Sequence, residues 1–416
     1  MSAAPSATAS VESTAVAEST AVSGEVAASG PAAAAGPQSP AATTGPQAPV
    51  TVPRQPAGGA IGTGRPAQRL RMLDGLRLLA ALSVVFWHYV GQADPAWQAD
   101  GRQLFGRVES AAAYGWLGVE LFFVISGFVI CMSAWGRPVG DFAVSRIVRL
   151  FPAYWFAVLA LTAIALVDPV MRDRLVSTEF LVNLTMLQQP LGVPPASSVF
   201  WTLWLELHFY LLFGIVVWRG LTYRRTVAFC ALWTLASVFA AGVNDPKVSL
   251  LVGERYSPFF IAGVTAYLMY RFRPNLLLWG MLGVSWALGL LKAVPMVRGT
   301  KQYIGYPLAW RPAAVIITVI FLLIVAIALG WFDRVQFGWL TVAGALTYPL
   351  YLLHLETGWL AIRLLHPYLP PWVTLLVTVG AMLVLAWAVN RFVERPVAPW
   401  LRGRLRSAVA EVRARD

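Results

Sequence analysis

Arg77 and His88 stand eleven residues apart inside the apolar stretch 76–90. Eleven residues are close to three helical turns, so on a helix both side chains leave nearly the same face, roughly 16 Å apart along the axis. One stripe of one helix then carries a fixed cation and a group that exchanges a proton near neutral pH. Such groups are costly in hydrocarbon, and where they occur they mark function. Glu206 and His354 fall inside two further apolar stretches. Counted along their helices from the same side, His88, Glu206 and His354 lie roughly 22, 21 and 18 Å deep. Three titratable groups on three helices share one level, and pairing around a hydrated cavity would remove most of the cost of holding them there.

A second pattern occupies residues 145–154 (SRIVRLFPAY), where Arg146 and Arg149 sit one turn apart at what reads as the start of a helix. Guanidinium forks bind phosphate oxygens bidentately, and a helix amino end adds a favourable dipole. The same spacing also suits arginines that snorkel to lipid phosphates.

The elements that must position these groups follow from composition. Of 416 residues 58% are hydrophobic and only 12% charged, with 18 Trp, which excludes a soluble globule and makes this an all-α polytopic membrane protein. Runs long enough to cross about 30 Å of hydrocarbon lie near 73–92, 114–134, 147–167, 200–218, 226–243, 255–271, 275–292, 311–331, 341–362 and 372–391. The expected architecture is a bundle of about ten transmembrane helices. The distribution of Lys and Arg places the N- and C-termini in the cytoplasm. Residues 1–66 are rich in Ala, Pro, Ser, Thr, Val and Gly, which predicts a disordered cytoplasmic tail without the pattern of a secretory signal. Residues 67–400 form the membrane domain and 401–416 a basic cytoplasmic tail that anchors to lipid.

The net charge of +12 falls mostly beside apolar spans and in the C-terminal tail, which fits anionic headgroups or an anionic cytosolic ligand better than nucleic acid. Cys131 and Cys230 do not read as a disulfide framework, and no spacing indicates a metal site or a dinucleotide fingerprint. Ser126 lacks a lipase-type elbow, so close helix packing around Gly127 accounts for its block better than a nucleophilic serine.

Six blocks in order resemble the acyltransferase-3 family of integral membrane O-acyltransferases, from about Arg71 to Pro396. They are 73–77 (LDGLR) with His88, 118–128 (GVELFFVISGF), the Arg146/Arg149 pair with Pro152 and Tyr154, 201–210 (WTLWLELHFY), 348–354 (YPLYLLH) and 394–396 (ERP). Glu120 departs from the aspartate or neutral residue common at that place. The resemblance implies transfer of an acyl group, usually acetyl, from acyl-CoA to a hydroxyl of a cell-surface or exported glycan, in the bacterial plasma membrane. A sugar-bearing secondary metabolite such as a macrolide is the alternative acceptor. Arg77, Arg146 and Arg149 are then expected to hold acyl-CoA, with an ion pair to Asp74 or Glu120 as the alternative for Arg77. His88 is the expected base and Glu206 its orienting carboxylate. Tyr351 and His354 are placed on the acceptor, although His354 has a purely structural reading beside Tyr351. A transporter or flippase with a charged pathway is the reading from another class; it predicts symmetry between halves, which the sequence lacks.

Overall fold

Hydrocarbon offers backbone amides no water, so an apolar chain satisfies them internally as helices. The computed structural model describes residues 70–92, 94–167 and 177–414, and all its regular elements there are helical. The N-terminal tail expected at 1–66 lies outside the described residues. The long helices are α1 (Arg71–Phe86), α2 (Gly118–Ala134), α3 (Val139–Val167), α4 (Trp201–Trp218), α5 (Tyr223–Val243), α6 (Ser257–Phe272), α7 (Leu276–Gly299), α8 (Trp310–Ala328), α9 (Gly338–Leu365), α10 (Pro371–Val389) and α11 (Arg395–Arg413). The protein is an all-α, multi-pass membrane protein: eight helical stretches among the described residues are long and apolar enough to cross a bilayer.

Each of the ten runs read from hydropathy falls on one of α1 to α10. The two outside the eight differ for separate reasons. α6 has only 16 residues and is buried almost throughout, whereas α9 has 28 but dilutes its apolar run with Tyr348, Tyr351, His354 and Glu356, all buried. α6 crosses α2 where Gly127 meets Gly263. A Cβ added to Gly127 would stand 3.1 Å from the Gly263 Cα and collide with the Phe260 carbonyl, so side chains are excluded from this crossing.

Two departures from the sequence reading position the chemistry. α3 begins at Val139, so Arg146 and Arg149 lie inside the helix, beyond the first turn where its dipole acts. Its amphipathic entry is held by Val144 and Val148, which pack against Leu401 of α11. The basic C-terminal segment is therefore the helix α11 through Arg413. α1 and α10 also each end in a π turn, Trp87–Gly91 and Asn390–Glu394. A π turn inserts one extra residue and re-aims the side chains around it, and such turns recur at functional sites.

Candidate active site

The sequence-predicted groups lie around two cavities of the bundle. The first, of about 520 Å³, is lined by Arg77 of α1, Arg146 and Arg149 of α3, and Arg395 and Arg402 of α11, against only two carboxylates, Glu206 and Glu394. Arg146 stacks between Phe142 and Tyr210, at 5.8 and 5.7 Å from their ring centroids. It donates to the Ser145 Oγ at 2.8 Å, while its buried Nε has no hydrogen-bond partner among the described residues. Arg149 lies 5.5 Å over the Tyr348 ring and 3.9 Å from a Glu394 carboxylate oxygen. Arg77 pairs with Asp74 at 3.6 Å. Glu206 accepts from Ser126 at 3.3 Å and from the Tyr210 hydroxyl. With stacked, oriented guanidinium groups in excess over carboxylates, the cavity suits a polyanion.

The second cavity, of about 840 Å³, is reached by His88 and walled by the aromatics Trp87, Trp116, Trp201, Trp204, Tyr256, Tyr303 and Trp359. Polar groups among them include Glu120, Gln189, Asn244 and Gln302. Aromatic faces set among amides and carboxylates make a wall for a ligand with both apolar faces and hydroxyls. The indole nitrogens of Trp116 and Trp204 and one oxygen of Glu120 have no hydrogen-bond partner among the described residues. Val119 and Tyr351 line both cavities and form the septum between them. The Tyr351 hydroxyl is held 2.8 Å from the Thr202 Oγ1 and 3.3 Å from the Val199 carbonyl.

The π turn of α1 carries His88 against His354 of α9, with His88 Nδ1 3.1 Å from His354 Nε2. Hydrogen bonding assigns both tautomers. His354 Nδ1 faces only carbonyls, those of Tyr351 at 2.8 Å and Leu350 at 3.2 Å, so it carries the proton and Nε2 accepts. His88 Nδ1 faces the Val84 carbonyl at 2.9 Å as well as His354 Nε2, so it too is the protonated nitrogen. The lone pair of His88 is left on Nε2, for which no partner occurs among the described residues. Trp359 donates to the His88 carbonyl at 3.1 Å and Tyr89 to the His354 carbonyl, which ties α1 to α9 around the pair.

The family model described as an acyltransferase domain, that of acyltransferase-3, matches residues 71–391. The chain belongs to the acyltransferase-3 family. It is 30% identical over 182 residues to acyltransferase MdmB of Streptomyces mycarofaciens, covering 42% of this chain and 45% of that relative. It is 29% identical over 252 residues to nodulation protein 10 of Rhizobium leguminosarum bv. viciae, covering 51% and 65%. A third relative, provisionally named peptidoglycan O-acetyltransferase YrhL, from Bacillus subtilis (strain 168), is 25% identical over 305 residues, covering 58% and 45%. The chain thus spans about half the length of the first and third of these relatives. No solved structure matches it.

Within this acyltransferase-3 fold, the residues expected from sequence divide between the two cavities. Arg77, Arg146 and Arg149 all line the first, and Arg77 pairs with Asp74 and not with Glu120. His88 and His354 meet, but His354 is fully buried and lines neither cavity, unlike the acceptor-facing place expected for it. Glu206 is not beside His88. It faces the first cavity with Ser126 and Tyr210, because depth along a helix does not determine the direction in which a side chain leaves it. Tyr351 lines both cavities. Sequence reasoning gave no site role to Arg395, which fell in the 394–396 block at the end of the membrane domain, or to Arg402, which fell in the basic tail; their seven-residue spacing beside Leu401 and Leu405 is the pattern of an amphipathic helix. Among the described residues no three His, Cys, Asp or Glu side chains come together as metal ligands.

Proposed function

We propose that the protein moves an acyl group, most simply acetyl, from acyl-CoA to a hydroxyl of a cell-surface or exported glycan. In this reading the chain sits in the bacterial plasma membrane with both termini and the arginine-lined cavity facing the cytosol. That cavity takes the coenzyme phosphates, and the acyl-pantetheine arm extends past Val119 and Tyr351 toward His88. The second cavity takes the acceptor, and its aromatic walls and unpartnered indole and carboxyl groups suit a sugar's faces and hydroxyls.

The observation that carries the reading is the His88–His354 pair. With both Nδ1 protons committed, His88 presents a lone pair on Nε2, and His354 fixes the ring and stabilises the charge it acquires. His88 Nε2 takes the proton of the acceptor hydroxyl as that oxygen bonds to the thioester carbonyl carbon. The tetrahedral oxyanion collapses with cleavage of the C–S bond, and the departing thiolate recovers the proton from the imidazolium. The products are an ester and free CoA. Feeding isotope-labelled acetyl-CoA to proteoliposomes with cell-envelope glycans, followed by mass spectrometry, tests the assignment. Label in a glycan ester is the expected result, and label confined to other molecules redirects the acceptor.

A further inference from the structure

The acyltransferase-3 match ends at residue 391, but the arginine-lined cavity continues beyond it onto α11. Arg395, Ala398 and Arg402 line it at spacings of three and four residues, one stripe of that helix. The neighbouring stripe, Leu401, Leu405 and Val409, rests on Val144 and Val148 of α3, the helix that carries Arg146 and Arg149. This packing sets the rotation of α11. Ala398 leaves room between the two guanidinium groups, whose Cα atoms are roughly 10 Å apart along the axis.

The cations of the cavity are graded in exposure. The Arg77 side chain is 25% exposed and that of Arg149 41%, while Arg395 and Arg402 belong to the exposed surface. Glu394, the carboxylate nearest in sequence to the α11 pair, is engaged by Arg149 and by Asn390.

We propose that Arg395 and Arg402 form a phosphate-monoester subsite that takes the 3′-phosphate of the coenzyme's ribose. The proposal rests on the reading of the donor as acyl-CoA. In that molecule the thioester, pantetheine, diphosphate and ribose 3′-phosphate follow one another in order. With the thioester directed at His88, the diphosphate meets the inner arginines and the 3′-phosphate comes last, at the most exposed cations. A phosphate monoester carries nearly two charges at neutral pH, which two arginines neutralise without a competing acid.

An anionic lipid headgroup offers related phosphate chemistry, so the test separates the two sources. The full chain and its Arg395→Gln/Arg402→Gln variant are placed in phosphatidylcholine nanodiscs, and binding of CoA and of 3′-dephospho-CoA is measured by calorimetry. Both side chains are exposed, so the substitutions leave the packing of α11 intact. The wild type is expected to favour CoA by roughly tenfold or more, and the double variant to bring the two ligands within about twofold. Arg149→Ala should weaken both ligands together. A double variant that keeps the full preference for CoA, or a wild type that binds both ligands equally, overturns the subsite. The subsite also falls if the double variant keeps that preference and instead loses affinity for added phosphatidylglycerol, which would identify a lipid site. Binding of neither nucleotide by the wild type would overturn the acyl-CoA reading itself.

Discussion

At the scale of single residues, the chemistry depends on which ring nitrogen of His88 holds the proton. Its Nδ1 has two acceptors, Val84 and His354, so only Nε2 is available as a base. His88→Ala is expected to lower transfer by a factor on the order of 10²–10⁴ without loss of inserted protein, measured as turnover of acetyl-CoA per folded molecule. His88→Gln should be as inactive, because an amide forms hydrogen bonds but takes no proton near neutrality. A fully active glutamine variant would remove the base role. His354→Ala should act more mildly, on the order of 10–100-fold. It should appear in kcat and leave KM for acetyl-CoA near its wild-type value, since His354 touches neither cavity. A purely donor-side KM effect would contradict the positioning role. Arg149→Ala should do the converse and raise the donor KM by roughly tenfold or more, with Arg149→Lys recovering only part, because lysine keeps the charge without the fork.

At the scale of elements, the crossing of α2 and α6 tolerates no side chain at its centre. A Cβ at Gly263 would stand 2.7 Å from the Phe128 amide nitrogen, and backbone cannot move aside as a rotamer can. Gly263→Val should therefore cost about 1–3 kcal/mol or more of stability, seen as a lowered thermal midpoint in detergent or as loss of the monodisperse peak on size exclusion. Unchanged stability would mean that the helices cross elsewhere. The two π turns act at the same scale. The one that ends α1 brings His88 to His354, and the one that ends α10 brings Asn390 and Glu394 to the arginine-lined cavity. Each is a local insertion in an otherwise regular helix, placed where the side chain direction matters.

At the scale of the whole molecule, the catalytic reading needs one face open to the coenzyme and the other to the acceptor. Reporter fusions at the two termini should both report the cytosolic side, as an even number of crossings requires, and opposite sides would overturn the topology. Residues 1–60 carry none of the family blocks, and their removal should leave transfer intact per inserted molecule. A truncated chain that inserts normally yet transfers nothing would give that segment a role the composition does not reveal.

Hydropathy alone located α1 to α10, because hydrocarbon forces long apolar runs into helices whatever their neighbours. The small-residue packing at Gly127 was legible for a similar reason, since it follows from the residues of one segment, whereas regular helical periodicity did not reveal the π turn that carries His88, and Arg77 and His88 line different cavities. The contacts between segments were not legible. Counting residues gave His88, Glu206 and His354 a common depth, but depth says nothing of azimuth. Only the packing of α4 against α2 turned Glu206 toward Ser126, and only the packing of α1 against α9 made His354 the partner of His88. Likewise nothing in the sequence set Arg395, at the end of the membrane domain, and Arg402, in the basic tail, on one wall of a cavity; that followed only from Leu401 resting on Val144 and Val148, because a helix of low hydropathy owes its place to tertiary contacts.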